Sequence, residues 1–265
     1  MNDAAASSTA AVGEDVLVTT DGGVMVVTIN RPAAKNAVTL AVARGIADAL
    51  DELDARDDLS VGIVTGAGGT FCAGMDLKGF LAGELPYAGG RGFAGIAERP
   101  SDKPLIAAIE GYALAGGCEV ALACDLIVAG RGARLGIPEV KRGLVAAAGG
   151  LMRLSERIPP NVAMELALTG DFLGAERAHQ LGLVNRLADD GDALAGAHEL
   201  ALAIAANGPL AVRASKRIMV TSPSWPAEER WTRQQQIVDG VFASEDAQEG
   251  PTAFAEKRPP VWRGR

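Results

Sequence analysis

The residues with the clearest chemical potential lie in the stretch 103–125, Lys-Pro-Leu-Ile-Ala-Ala-Ile-Glu-Gly-Tyr-Ala-Leu-Ala-Gly-Gly-Cys-Glu-Val-Ala-Leu-Ala-Cys-Asp. Gly116 and Gly117 allow a close backbone approach. An apolar pattern at helical spacing then restarts at 119–123. The first amides of a helix lack internal partners and carry partial positive charge, so an anion or a polarised carbonyl is stabilised there. Glu119 places a carboxylate beside that position. A second glutamate, Glu139, follows Pro138; taken alone it also reads as a solvated strand-end residue. The stretch thus reads as a site for an anion or a polarised carbonyl with a carboxylate beside it.

Other chemistries fit poorly. Residues 64–69, Val-Thr-Gly-Ala-Gly-Gly, imitate a dinucleotide loop, but Phe71 occupies the position of the third glycine. No Gly-Lys-Ser/Thr phosphate loop and no Gly-x-Ser-x-Gly nucleophile elbow occur. The three cysteines, Cys72, Cys118 and Cys124, and two histidines, His179 and His198, show no metal-ligand spacing, so no metal is expected. The cysteine usage suggests a reducing, cytoplasmic setting. A net charge of −8 argues against nucleic-acid binding. No apolar run reaches membrane-spanning length, so no membrane partner is expected.

The elements that must position these groups can be read in order. Of the 265 residues 48% are apolar, enough for a sizeable core. Residues 1–13 read as a disordered tail, not a signal or transit peptide. Residues 16–20 and 24–30 form a hairpin around Asp21-Gly22-Gly23. Residues 39–53 carry a helical stripe of Ala43, Ile46, Ala47, Leu50 and Leu53. Buried strands follow at 60–65 and 105–109. Between them, 78–99 reads as a mobile, pocket-shaping loop. Short strands are expected at 126–129, 133–137 and 183–187, and helices at 143–158, 162–168 and 175–181. From residue 192 only helices remain, at 194–206, 210–220, 227–242 and 245–256. Tyr112, Met152 and Met164 read as core, and both histidines as structural or exposed.

Several ordered blocks then point one way. Asn30-Arg31-Pro32 with Lys35-Asn36-Ala37, Cys72-Ala73-Gly74-Met75-Asp76-Leu77-Lys78, the run 111–125, Pro138-Glu139, Gly149-Gly150, Leu168-Thr169-Gly170 and Gly182-Leu183-Val184-Asn185 together resemble the crotonase (enoyl-CoA hydratase/isomerase) superfamily from about residue 14 onward. The resemblance implies an α/β fold, a crotonase-like spiral of ββα units over 14–190, with a C-terminal α-helical subdomain over 191–265 for trimerisation and substrate covering. It implies an enoyl-CoA hydratase of fatty-acid or related acyl-CoA metabolism. A double-bond isomerase, other enolate chemistry and a non-catalytic acyl-CoA binder are the alternatives. The amides of Ala73 and Gly116 would hold the thioester oxygen, and Glu119 and Glu139 would do the acid/base work. Glu119 would hold water and Glu139 would deliver a proton to Cα. The loop Ala73, Gly74, Met75 and Asp76, with Gly116, would contact substrate, although Asp76 also fits a plain surface role. Lys35 is a candidate for a CoA phosphate or simply a solvated lysine. No cofactor is implied beyond the CoA of the substrate, and the family's trimers and dimers of trimers imply a homotrimer or hexamer. One departure stands out: 145–151 reads Val-Ala-Ala-Ala-Gly-Gly-Leu where hydratases often carry Pro-Gly-Ala-Gly-Gly-Thr, so acyl preference is open.

Overall fold

The computed structural model describes the backbone from Ser8 and the side chains from residue 14 to Arg265. The element order is β1 (Ser8–Gly13), β2 (Val16–Asp21), β3 (Val24–Ile29), α1 (Leu40–Ala55), β4 (Val61–Gly66), α2 (Leu77–Leu81), β5 (Leu105–Ile109), β6 (Tyr112–Leu114), α3 (Gly116–Ala123), β7 (Leu126–Gly130) and β8 (Arg134–Gly136). Then come α4 (Gly150–Arg157), α5 (Pro160–Thr169), β9 (Leu173–Gly174), α6 (Ala175–Gln180), β10 (Arg186–Ala188), α7 (Ala193–Ala205), α8 (Pro209–Thr221), α9 (Arg230–Phe242) and α10 (Glu245–Glu256).

The main sheet runs β1-β2-β3-β4-β5-β7-β10. Its first two pairings are antiparallel and those from β3 onward are parallel. Parallel strands are covered on both faces, which explains their near-continuous apolar runs. Met25, Val27, Val64, Leu105, Ile109 and Ile127 face the large core shared with α1 and α3. Val24, Val61, Ile63, Ile106, Ala108 and Val128 face the other way, onto Ala197 and Ala201 of α7. The small α7 side chains let that helix lie close to the sheet. The division expected at residue 190 therefore does not separate two packed bodies, because α7 completes the sheet's second cover.

A second sheet, β6-β8-β9, positions the chemistry. β6 and β8 are parallel, and Cys72 joins them as a parallel bridge to Ala113. Its amide donates to the Tyr112 carbonyl at 2.8 Å, and the Leu114 amide donates to the Cys72 carbonyl at 3.0 Å. Three chain segments thus leave this small sheet at its C-terminal end: the 73–75 loop, the start of α3, and the turn after β8.

Four expectations need correction. Ser8–Gly13 is not a tail but an edge strand paired antiparallel with β2, since its backbone finds the open edge of the hairpin; residues 1–7 lie outside the described residues. The 78–99 segment opens with the rest of α2 and continues as a loop that is pinned at Arg91: its fully buried guanidinium donates to Asp51, Asp54 and the Arg99 carbonyl. The helix expected from residue 143 starts at Gly150, leaving 143–149 irregular. Met152 and Met164 are 68% and 58% exposed, because the stripes of α4 and α5 turned inward carry Leu154, Ala163 and Leu166 instead.

The last helices close on their own chain. Lys216 of α8 donates from Nζ to the carbonyls of Ser101 and Lys103 and to Asp125 Oδ2. Trp262 donates to the Ala206 carbonyl at 2.9 Å. Among the described residues, no helix is long and apolar enough to cross a membrane.

Candidate active site

α3 begins after Ala115, which sits at φ 51°, in the left-handed region. Gly116 and Gly117 cannot carry side chains. A methyl on Gly116 would fall 2.5 Å from Cζ of Phe93, and one on Gly117 would run into the Cys72 backbone. The helix starts three residues earlier than the apolar pattern suggests, so Glu119 sits on its first turn with its side chain turned inward and 3% exposed. Its Oε1 accepts from the amides of Ala148 at 2.7 Å and Gly150 at 2.9 Å. Those amides are presented by the irregular 143–149 loop and the start of α4. Burial raises the Glu119 pKa, while the Gly150 and Ala148 amides and the Arg153 charge pull it back down.

Glu139 lies on a short 3-10 turn, Pro138–Arg142, that follows β8. Its Oε2 is buried and has no hydrogen-bond partner among the described residues. Burial first, and the neighbouring Glu119 charge second, push its pKa up to about 7, against the opposing pull of Arg142 and its own backbone amide.

The loop and α3 meet as two edges. Gly74, at φ 105°, has no room for a side chain: a methyl there would lie 2.9 Å from Cβ of Ala115 and 3.3 Å from the Gly116 nitrogen. A methyl on Gly116 would stand 3.6 Å from the Met75 nitrogen. Neither the Met75 nor the Gly116 amide has a partner among the described residues. The Ala73 amide does: it donates to the Lys35 carbonyl at 3.0 Å. Ala73 lines the cavity, but its N–H is already taken and not free for a thioester oxygen as expected; of the two cavity-lining residues on this loop, Met75 is the one with an unengaged amide. The Met75 amide is held in place by the bridge to Val38, where the Val38 amide meets the Gly74 carbonyl and the Asp76 amide meets the Val38 carbonyl.

Both free amides border one cavity of about 510 Å³ that Glu119 and Glu139 also line. Its walls are largely apolar, with Leu77, Phe80, Tyr87, Phe93, Leu144 and Val145 prominent. Lys35 and Arg142 are its two cations. Lys35 Nζ sits 6.0 Å from the ring centre of Tyr112, which is 41% exposed at the cavity and not core.

Two candidate contacts fall elsewhere. Asp76 points away from the cavity: Oδ1 caps α2 through the amides of Lys78 and Gly79, and Oδ2 pairs with Arg31 at 3.3 Å. These bonds, the Gly79 amide first, lower its pKa. Gly74 serves the close approach of the loops and does not line the cavity. No residue beyond Phe172 lines the cavity, so the helical region expected to cover substrate lies away from it within this chain, held instead by the Lys216 and Trp262 bonds. Sequence reasoning missed the Met75 amide, the Ala148 and Gly150 cradle, and the Tyr87–Phe93 wall. Gly149-Gly150 was a signal for the cradle; the wall leaves none, since it has no periodicity. The three cysteines are buried, with thiol pKa values pushed up to about 12 by burial, which leaves them unreactive. Among the described residues, no group of His, Cys, Asp and Glu is arranged to hold a metal ion.

The family model described as enoyl-CoA hydratase/isomerase matches residues 19–265. The enoyl-CoA hydratase EchA19 of Mycobacterium tuberculosis is 44% identical over 262 residues, 96% of this chain and 98% of that protein. The carnitinyl-CoA dehydratase of Escherichia coli K12 is 42% identical over 264 residues, 96% and 100% of the two chains. The crystal structure of enoyl-CoA hydratase EchA1 from Mycobacterium marinum superposes with a TM-score of 0.94 at 61% identity, covering 96% of this chain and 100% of that one. With a seven-stranded and a three-stranded sheet packed among helices, and matches over nearly its whole length, the chain belongs to the crotonase superfamily, on its enoyl-CoA hydratase-like side.

Proposed function

We propose that this protein is an enoyl-CoA hydratase acting on a 2-enoyl-CoA thioester. The observation that carries the reading is the meeting of two unpartnered amides and two inward-turned glutamates at one cavity. The thioester oxygen sits between the Met75 and Gly116 amides. Glu119 takes a proton from water, and the resulting hydroxide bonds to Cβ. The Cα=Cβ electron pair moves toward the carbonyl, leaving an enolate whose oxygen is stabilised by the two fixed donors. Glu139 then gives its proton to Cα. The product is a 3-hydroxyacyl-CoA; the proton on Glu119 returns to Glu139 through solvent, and the reverse path is dehydration.

The two carboxyls differ in a way that suits this division. Glu119 is bonded to two amides, which favour its ionised form, and Glu139 has a buried oxygen with no partner, which favours its proton. A single-base double-bond shift would use Glu139 alone. The test is a panel of 2-enoyl-CoA thioesters with short, branched, aromatic and bulky tails, followed by loss of the conjugated thioester's ultraviolet band. Glu119→Gln should reduce hydration by about 10²–10⁴-fold. A band that persists across the whole panel overturns the reading, and a Glu119→Gln protein that keeps shifting a 3-enoyl double bond assigns the isomerase chemistry instead.

Self-assembly belongs to the same proposal. Leu168 on α5, Trp231 and Phe242 on α9 and Phe254 on α10 are 70%, 79%, 73% and 86% exposed, large apolar groups with no cover in one chain. Light scattering should give three or six times the 27.1 kDa chain mass.

A further inference from the structure

We propose that Arg153 is a positioning residue for Glu119: its guanidinium ties the amide cradle of that carboxylate to the apolar wall that braces Gly116. The inference rests on the hydratase reading for the role of Glu119, but its geometry is independent of it. Arg153 stands on the first turn of α4. Its Nη1 donates to the Ala148 carbonyl at 3.2 Å and its Nη2 to the Ala97 carbonyl at 2.5 Å. Ala148 is the residue whose amide holds Glu119 Oε1. Ala97 ends the buried segment that begins at Arg91. One planar cation therefore bonds both loops in a fixed fork, a task lysine cannot reproduce.

The wall is a fixed object for that fork to grip. Phe93 is 5% exposed, and its ring edge lies where any side chain on Gly116 would have to go. Gly95 brings the segment's backbone against Ala43 and Ala47 of α1, where it too leaves no space for a methyl. Arg91, with no exposure, anchors the near end on Asp51 and Asp54. Loss of the fork would leave the wall on α1 and let the 148–150 cradle drift from it. Glu119 would then lose the alignment of its Oε1 with the two amides. Misplacement on the scale of an ångström costs rates of about 10²-fold.

The charged and titratable groups around Glu119 are Glu139 and Arg142 on the 3-10 turn, Arg153, Glu156 and Arg157 on α4, and Cys118 on its own helix. Arg153 is the one whose charge lowers the Glu119 pKa. Arg157, one turn along α4, donates instead to the Cys124 carbonyl at 3.0 Å and touches neither loop, so it serves as the control.

The experiment compares wild type, Arg153→Met, Arg153→Lys and Arg157→Met. The first readout is kcat and KM for the best thioester of the panel. The second is an infrared titration of the carboxyl band that Glu119→Gln removes. Arg153→Met should lower kcat by roughly 10–100-fold with KM within about threefold, and should move the titration midpoint to higher pH. Arg153→Lys should keep the midpoint while losing part of kcat. Arg157→Met should keep both, and thermal unfolding confirms that each variant is folded. A folded Arg153→Met with wild-type kcat, an unmoved midpoint, or the same losses in Arg157→Met would each overturn the proposal. If wild type turns over no thioester, the hydratase reading fails, and the titration alone still decides whether Arg153 holds Glu119.

Discussion

Replacing Glu139 by Gln should change how stability varies with pH. In the folded chain the Glu139 carboxyl has its pKa raised from an ordinary 4.5 to about 7, by burial first and by the Glu119 charge second. The unfolded chain gives up that proton near 4.5. Below 4.5 both states hold it, and the contribution of the neutral carboxyl is complete. As pH rises from 4.5 the unfolded state loses the proton while the folded state keeps it, so stability falls. The loss is complete once pH passes the folded value near 7. The distance from 4.5 to about 7, at about 1.36 kcal/mol for each pH unit, corresponds to about 3.4 kcal/mol. Glu139 is only half-buried, so solvent screening trims this to about 2 kcal/mol. Glu139→Gln removes the titration, and any fixed cost of burying the amide is the same at every pH. Urea unfolding of wild type and Glu139→Gln should therefore show a difference moving in the variant's favour by about 2 kcal/mol between pH 4 and pH 8. Protein concentration is held constant, because self-association alone shifts apparent stability. The same group should place the alkaline limb of kcat/KM near 7, since the proton donor must still carry its proton. A difference that stays flat within a few tenths of a kcal/mol, or moves toward wild type as pH rises, refutes the burial account of Glu139.

Gly150→Ala places a methyl 2.8 Å from Cγ of Glu119, so the carboxylate must leave its amide cradle; kcat should drop about 10²-fold with KM nearly unchanged in steady-state assays. Asp76→Ala removes the cap of α2 and one of the two carboxylates paired with Arg31, costing about 1–2 kcal/mol in urea unfolding, while calorimetry should show CoA affinity unchanged because Asp76 does not line the cavity. Lys216→Met leaves the carbonyls of Ser101 and Lys103 without their side-chain donor and the Asp125 carboxylate with the Leu105 amide but no cation; unfolding should report a loss of about 1–3 kcal/mol, with activity preserved at temperatures where the chain stays folded.

Much of the scaffold is legible because its strands obey simple rules. The buried run at β5 has its expected ends, since Pro104 and Gly111 punctuate an unbroken apolar segment. α10 also spans its expected residues. The glycine pair before Glu119 announces a close approach, and the structure shows the Cys72 backbone as what approaches. The rest depends on partners distant in sequence. β6 is only three residues long, and Tyr112 and Leu114 become a strand because Cys72 and β8 supply the other halves of their bonds. The irregular 143–149 segment resists helix formation because Ala148 directs its amide to Glu119. Arg91 reads as an ordinary loop cation, and only the fold brings Asp51 and Asp54 of α1 around it. The engagement of the Ala73 amide is hidden for the same reason. Nothing local says that Lys35, nearly forty residues upstream, already accepts the Ala73 amide.

An amide can stabilise developing charge only if no protein carbonyl holds it already, and a buried amide left free carries a cost unless substrate or water meets it. Ala73 and Met75 stand two residues apart on one loop, and both line the same cavity. Yet the Ala73 amide donates to the Lys35 carbonyl, the Gly74 amide to Cys72 Sγ and the Asp76 amide to the Val38 carbonyl, which uses the donors on either side of Met75 and leaves its own N–H unengaged. Gly116 reaches the same condition by a different route: it is the first residue of a helix, and the carbonyl four residues back, on Tyr112, belongs to a strand and accepts the Cys72 amide instead. One donor is freed by strand geometry and the other by helix geometry. The bridge from Cys72 to Ala113 holds those two elements in register, so under the proposed hydration neither amide would have to be oriented when charge appears on the oxygen.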